Sequence, residues 1–114
     1  MDSSVLPAAA GFGGGIGRCQ SVCGALVAGV MLLGLYEGRA QRPAKELAAA
    51  VRPMARQLYQ SFAQRFGHTD CRNLTGYDFS TPEGYQAFVD SGARQTKCAN
   101  YITYVISELL TLTS

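Results

Sequence analysis

Four cysteines, at positions 19, 23, 71 and 98, and a single histidine, His68, are the residues of this chain whose types suit chemistry. An ionised thiol is a nucleophile, half of a redox couple or a soft metal ligand. No two cysteines form a Cys-x-x-Cys pair, so zinc-ribbon and thioredoxin spacings do not apply. Cys19 and Cys23 are four apart, the spacing of one helical face, and either can join Cys71 and Cys98 if the fold converges them. Arg18-Cys19, Cys71-Arg72 and Lys97-Cys98 each set a cation beside a thiol, which lowers a thiol pKa. His68, three residues before Cys71, is either a metal ligand or a solvated residue capping a helix end. One histidine, with no serine–acid arrangement, leaves little machinery for hydrolysis.

The composition sets the compartment and the partners. The chain has 114 residues, 47% hydrophobic and 16% charged, which suits one helical domain over residues 1–114 and excludes a disordered chain. A net charge of +2, without a basic stripe, points away from nucleic acid. Met1-Asp2-Ser3-Ser4 lacks the positive start of a secretory leader, so a cytoplasmic location with reduced thiols is expected. The uncharged run from Cys19 to Tyr36 is at the lower edge of membrane-spanning length and carries Gln20, Ser21 and internal glycines. It reads as a buried central helix, with no membrane span.

Beside the first two thiols lies "GFGGGIG", residues 11 to 17. It lacks the Lys-Ser/Thr pair of a phosphate-binding P-loop, and no strand-like run precedes it as a dinucleotide fingerprint requires. Glycine-rich turns ahead of a helix do present backbone N–H groups near the positive helix end. Cys19 in the first turn of that helix would gain thiolate stability there. The competing reading is a tight turn that lets helices cross closely.

The elements that must position these groups follow from periodicity. Cys19, Cys23, Leu26, Val30 and Leu33 share one helical face, with Ala25 and Gly29 on another, and the helix closes at Glu37-Gly38-Arg39. Pro43 opens a long helix carrying Leu47, Val51, Met54, Leu58, Phe62 and Phe66, kinked at Pro53 and closed by Gly67. "HTDCRNLTGYDFS" reads as a polar segment with turn residues. A capped helix follows, with Ser80 or Thr81 as cap, Pro82 in its first turn and Gly92 as its stop. The last helix begins near Cys98, with Ile102, Val105, Ile106 and Leu109 on one face. No segment alternates like a strand. The fold class is all-α, a small bundle of four to five helices.

"GFGGGIGR", "VCGALVAGVMLLGLYEGR", "FGHTDCRNLTGYDFSTPEG" and "KCANYITYVISELL", in that order, resemble the C-GCAxxG-C-C family of redox-active cysteine proteins. The resemblance runs from about residue 8 to the C-terminus. Cys23-Gly24-Ala25 stands at the start of the family's cysteine motif, with Ala28 where the motif has glycine, and Cys71 and Cys98 match the later cysteines. The family's first cysteine belongs in an additional N-terminal helix. This chain has no cysteine before Cys19, so either that helix is missing or Cys19 takes over the role.

The resemblance implies a helical redox protein associated with oxidoreductases or transporters, holding an iron–sulfur cluster or another metal. Cys23, Cys71 and Cys98 would be the reactive thiols or metal ligands. Cys19, Gly13, Gly14, Gly15 and Gly24 would lie beside the bound group, with the turn amides facing the sulfurs. Without a cofactor, the same thiols would cycle between dithiol and disulfide. The resemblance assigns no enzymatic reaction. The competing class is a non-enzymatic helical accessory or interaction module with structural, buried cysteines. Three further expectations follow. The three sulfurs share one pocket. A homodimer covers an apolar face of Leu26, Val30 and Leu33. Cys98, at a helix start beside Lys97, has a depressed pKa and is the attacking thiol.

Overall fold

Three helices make the core. The computed structural model describes the backbone of residues 5–114 and the side chains of residues 7–114. Met1-Asp2-Ser3-Ser4, expected to carry no leader, lies outside the described residues. A single turn, α1 (Val5–Ala8), leads to the glycine loop, and α2 follows at Gly24–Gly38. The order continues with α3 (Ala44–Phe66), one-turn α4 (Cys71–Thr75), α5 (Pro82–Ser91), a π turn (Arg94–Cys98) and α6 (Ala99–Leu112). The all-α expectation holds: among the described residues the only extended pairing is a single bridge between Val22 and Asp70.

Helix α2 runs parallel to α6 and antiparallel to α3. Gly29 sets this crossing, since a Cβ there would stand 2.7 Å from Val105 Cγ1 and 2.9 Å from Leu58 Cδ2. Leu26, Leu33, Leu58, Phe62, Leu74, Tyr101 and Val105 fill the interface between the helices. Fully burying Phe62 or Leu58 contributes about 1.5–3 kcal/mol each. Phe66 packs edge-on against Tyr101 and Tyr104, with centroids 4.8 and 5.2 Å away.

The long apolar period of α3 is realised over its full length, and the helix continues through Pro53. Gly67 and Gly92 end α3 and α5 with φ of 81° and 74°. Thr81 caps α5, its hydroxyl accepting from Gly84 N at 3.0 Å. Helix α2 ends at Gly38 as expected, but without a left-handed glycine; the positive φ falls on Gln41, at 52°.

Two expectations are corrected. Helix α2 starts at Gly24, five residues after Cys19, because Arg18 and Gln20 adopt positive φ and Ser21 to Cys23 run extended. Cys19 is therefore not in a first helical turn. The face of Leu26, Val30 and Leu33 is mostly filled from within: Leu26 and Leu33 are 1% and 0% exposed inside this chain's own core, and only Val30, at 36%, is open to solvent. Exposed apolar residues remain on α2, at Leu35 and Tyr36, and the most exposed lie on α6, at Ile102, Ile106 and Leu110. No described helix is long and apolar enough to cross a membrane.

Candidate functional site

The glycine loop winds left-handed. Gly14, Gly15, Ile16, Gly17 and Arg18 have φ of 66°, 69°, 68°, 55° and 63° in succession. Glycine adopts this region freely, whereas each L side chain there costs about 1–2 kcal/mol. Backbone bonds hold the turn closed: Gly17 N donates to Gly11 O at 2.8 Å, Gln20 N to Gly14 O and Ser21 N to Gly15 O, both at 2.9 Å. Ile16, Arg18 and Cys19 likewise donate to Phe12, Gly13 and Ile16 carbonyls. The N–H groups from Ile16 to Ser21 are thus spent within the loop, which corrects the expectation that the turn's amides as a whole face the sulfurs.

The loop is clamped at two glycines. A Cβ on Gly15 would lie 2.7 Å from Cys71 Cβ, and one on Gly24 would lie 2.6 Å from the Phe12 carbonyl oxygen. Between these clamps Ser21 to Cys23 pair with Thr69 to Cys71. Cys23 N donates to Thr69 O, and Cys71 N to Ser21 O, each at 2.8 Å around the Val22–Asp70 bridge. Alternation along extended backbone puts Cys23 and Cys71 on the same side of that bridge. Asp70 then caps α4 by accepting from Asn73 N at 2.8 Å, so Cys71 opens a short helix where the sequence suggested only a polar segment.

Cys98 arrives from the other side, closing the π turn. Cys23, Cys71 and Cys98 all line one cavity of about 890 Å³, together with Gly13, Gly14, Gly15 and Gly24. Ala25, Ala28 and Gly29 give α2 a small-residue wall there, and Ile102, Val105 and Ile106 supply the wall from α6. Cys19 does not line it. That thiol is exposed, in a depression with Arg18, Gln20, Arg72, Asp78 and Ser80. His68 is exposed and also outside the cavity. All four cysteines are free thiols.

Burial dominates the thiol acidities. It pushes Cys71 up to about 11, against a hydrogen bond from the Gln20 side chain, with charge on Cys23 and Cys98 raising it further. Burial also raises Cys23, opposed by the N–H groups of Ala25 and Leu26 at the start of α2. Cys98 is raised by burial and by Cys23, while Arg94 and Lys97 pull it down. This overturns the expected acidic Cys98. The chain is already helical through Arg94–Cys98, so no free helix end lies at that sulfur. The Lys97 ammonium reaches away, donating to Thr75 O at 3.3 Å.

The implied iron–sulfur cluster or metal needs several ligands at bonding distance of one centre. Among the described residues no three His, Cys, Asp or Glu side chains are arranged to hold an ion. Cys23, Cys71 and Cys98 are the described thiols that would hold such a centre.

Two contributors carried little sequence signal. Gln20 ties the glycine loop to the 77–79 segment: its Nε2 donates to Tyr77 O at 2.7 Å, and its Oε1 accepts from Phe79 N at 2.8 Å. Its one hint was polarity within an apolar run. The other is a pair of arginines on one ring: Arg18 stacks 4.1 Å from the Tyr85 centroid, and Arg94 Nη2 donates to Tyr85 Oη at 2.8 Å. Nothing in the spacing of residues 18, 85 and 94 announces that meeting.

A family model described as "Putative redox-active protein (C_GCAxxG_C_C)" matches residues 1–111. No curated protein and no solved structure matches the chain. The family's motif is spelled Gly-Cys-Ala-x-x-Gly, which corrects the order expected around Cys23. Val22, Gly24 and Val27 stand at its first glycine, its alanine and its last glycine, so only the cysteine is matched. Membership rests on the length of the match.

Proposed function

Since the chain belongs to the C_GCAxxG_C_C family, we propose that it is a redox protein in which two of three cavity thiols cycle between dithiol and disulfide. The observation that carries this reading is the placement of Cys23, Cys71 and Cys98 around one cavity, the first two on the same side of one backbone bridge. Cys23 is the attacking group: burial raises its thiol, but the Ala25 and Leu26 N–H groups at the start of α2 stabilise its thiolate once formed. Cys71, whose thiol burial pushes up to about 11, is the resolving partner.

In the step proposed, the Cys23 thiolate attacks a disulfide of a partner oxidoreductase or small molecule and expels one thiolate. The Cys71 thiolate then attacks Cys23 in the mixed disulfide and expels the second. This chain loses two electrons and two protons, and the acceptor gains a dithiol. Cys98 is the third thiol within the same cavity. A reducing, cytoplasmic setting matches four free cysteines, and a homodimer through the exposed Leu110 end of α6 is part of the proposal.

Oxidation of reduced protein with diamide, followed by alkylation and peptide mass mapping, tests it. An intramolecular Cys23–Cys71 disulfide is expected, with Cys19 alkylated throughout. Three cavity thiols that stay reduced while Cys19 alone reacts would overturn the reading. Iron, zinc and acid-labile sulfide analysis of anaerobically purified protein checks the metal-bound alternative.

A further inference from the structure

The cavity is unusual in the charges that surround it. Arg18 and Arg94 both line it, and both rest on Tyr85, one stacked at 4.1 Å and the other hydrogen-bonded at 2.8 Å. No Asp or Glu among the described residues lines it. The one ion pair among the described residues is Arg42–Glu37, far along the chain from this site. Two guanidinium groups are therefore held against one aromatic ring with no carboxylate between them. Like charges so placed repel unless an anion joins them, and guanidinium forks suit carboxylates and phosphates. The opposite chemistry lies beyond the thiols. Leu32, Ile102 and Ile106 continue the same cavity, and Ile102 and Ile106 remain 51% exposed although they face it. Its volume, about 890 Å³, is within the range of small-molecule sites.

We propose that this cavity binds a free amphipathic organic anion, its charged group between Arg18 and Arg94 and its apolar body along Ile102 and Ile106. The ligand's middle then passes the thiols of Cys23, Cys71 and Cys98, so an anion of this class that carries a disulfide would be the acceptor of the redox site, leaving as the dithiol. That last clause rests on the function proposed above; the binding itself does not.

The probe is dodecanoate below its micelle concentration, with dodecanol as the neutral control, followed by calorimetry on the full chain. Saturable binding of dodecanoate is expected, about tenfold tighter than dodecanol. The double substitution Arg18→Gln and Arg94→Gln should remove that preference while leaving dodecanol unchanged. Ile102→Asn should weaken both ligands, with circular dichroism confirming the helical fold of each variant. The triple variant Cys23→Ser, Cys71→Ser, Cys98→Ser should still bind dodecanoate, so loss of thiol chemistry and loss of ligand binding are read separately. No binding of dodecanoate, equal affinity for the alcohol, or an anion preference surviving the double substitution would each overturn the proposal. So would sedimentation with phosphatidylglycerol vesicles in place of binding to the free acid.

Discussion

Gly15 and Cys71 are packed so closely that a Cβ on the glycine would stand 2.7 Å from the Cys71 Cβ. The same hypothetical atom would meet the backbone N and O of Ser21, also at 2.7 Å. A strained loop and a buried thiol are therefore one packing unit, and substitutions in the first should be felt at the second.

Gly15→Ala combines a left-handed backbone, φ 69°, with a collision that backbone atoms cannot sidestep. It should destabilise the protein by roughly 3 kcal/mol in urea unfolding. Gly17→Ala, at φ 55° but with nothing within 4 Å, should cost only about 1 kcal/mol. Gly13→Ala, with no neighbour and no positive φ, should be close to neutral. Equal losses at Gly15 and Gly13 would dissociate the loop from Cys71.

Ile16 is a β-branched residue at φ 68° that is 44% exposed. Glycine there relieves about 1–2 kcal/mol of left-handed strain and adds about 0.5–1 kcal/mol of unfolded-state entropy. Losing the covered part of the isoleucine offsets the remainder, so Ile16→Gly should be close to neutral, read as an unchanged urea midpoint and m-value.

Reduced protein should lose stability as pH rises from about 9 toward about 11. Cys71 has a folded pKa pushed up to about 11 from an ordinary 9.0, so in this window the unfolded state releases a proton that the native state keeps. The stability is present below the unfolded pKa and declines through the folded one. Cys71→Ala should flatten the slope without abolishing it, because Cys23 and Cys98 are raised in the same direction. Urea unfolding at stepped pH under reductant measures this.

Alkylation of Cys98 should reach its half-maximal rate at a pH above that of an unstructured cysteine peptide, since burial outweighs Arg94 and Lys97. Arg94→Gln should move that midpoint higher still. A midpoint below the peptide's would restore an activated Cys98. Mass-resolved labelling over a pH series, with Cys19 as the exposed reference, reads both.

Gln20→Ala removes the donor to Tyr77 O and the acceptor from Phe79 N. With both partners part-buried, about 2 kcal/mol of stability should go with them. The Cys71 thiol should become still harder to ionise, since Gln20 is the group that lowers its pKa. Slower alkylation of Cys71 at pH 9 would show the second effect apart from the first.

Local periodicity and capping were enough to determine α3 and α5 from the sequence. Leu47 through Phe66 repeat at helical spacing, Thr81 caps by its own hydroxyl, and Gly67 and Gly92 stop helices by adopting positive φ. Each of these depends on residues within a turn or two of one another, so neighbouring side chains carry the information. The start of α2 does not. Periodicity extended it back to Cys19, but pairing with Thr69 to Cys71, nearly fifty residues away, pulls Ser21 to Cys23 into extended backbone. That long-range pairing leaves Cys19 outside and sets Cys23 beside Cys71, a separation that residue spacing could not express. Thiol acidity was decided at the same level. Lys97 adjoins Cys98 in sequence, yet its ammonium is bound at Thr75 O while burial governs the sulfur, and burial exists only once distant segments have packed.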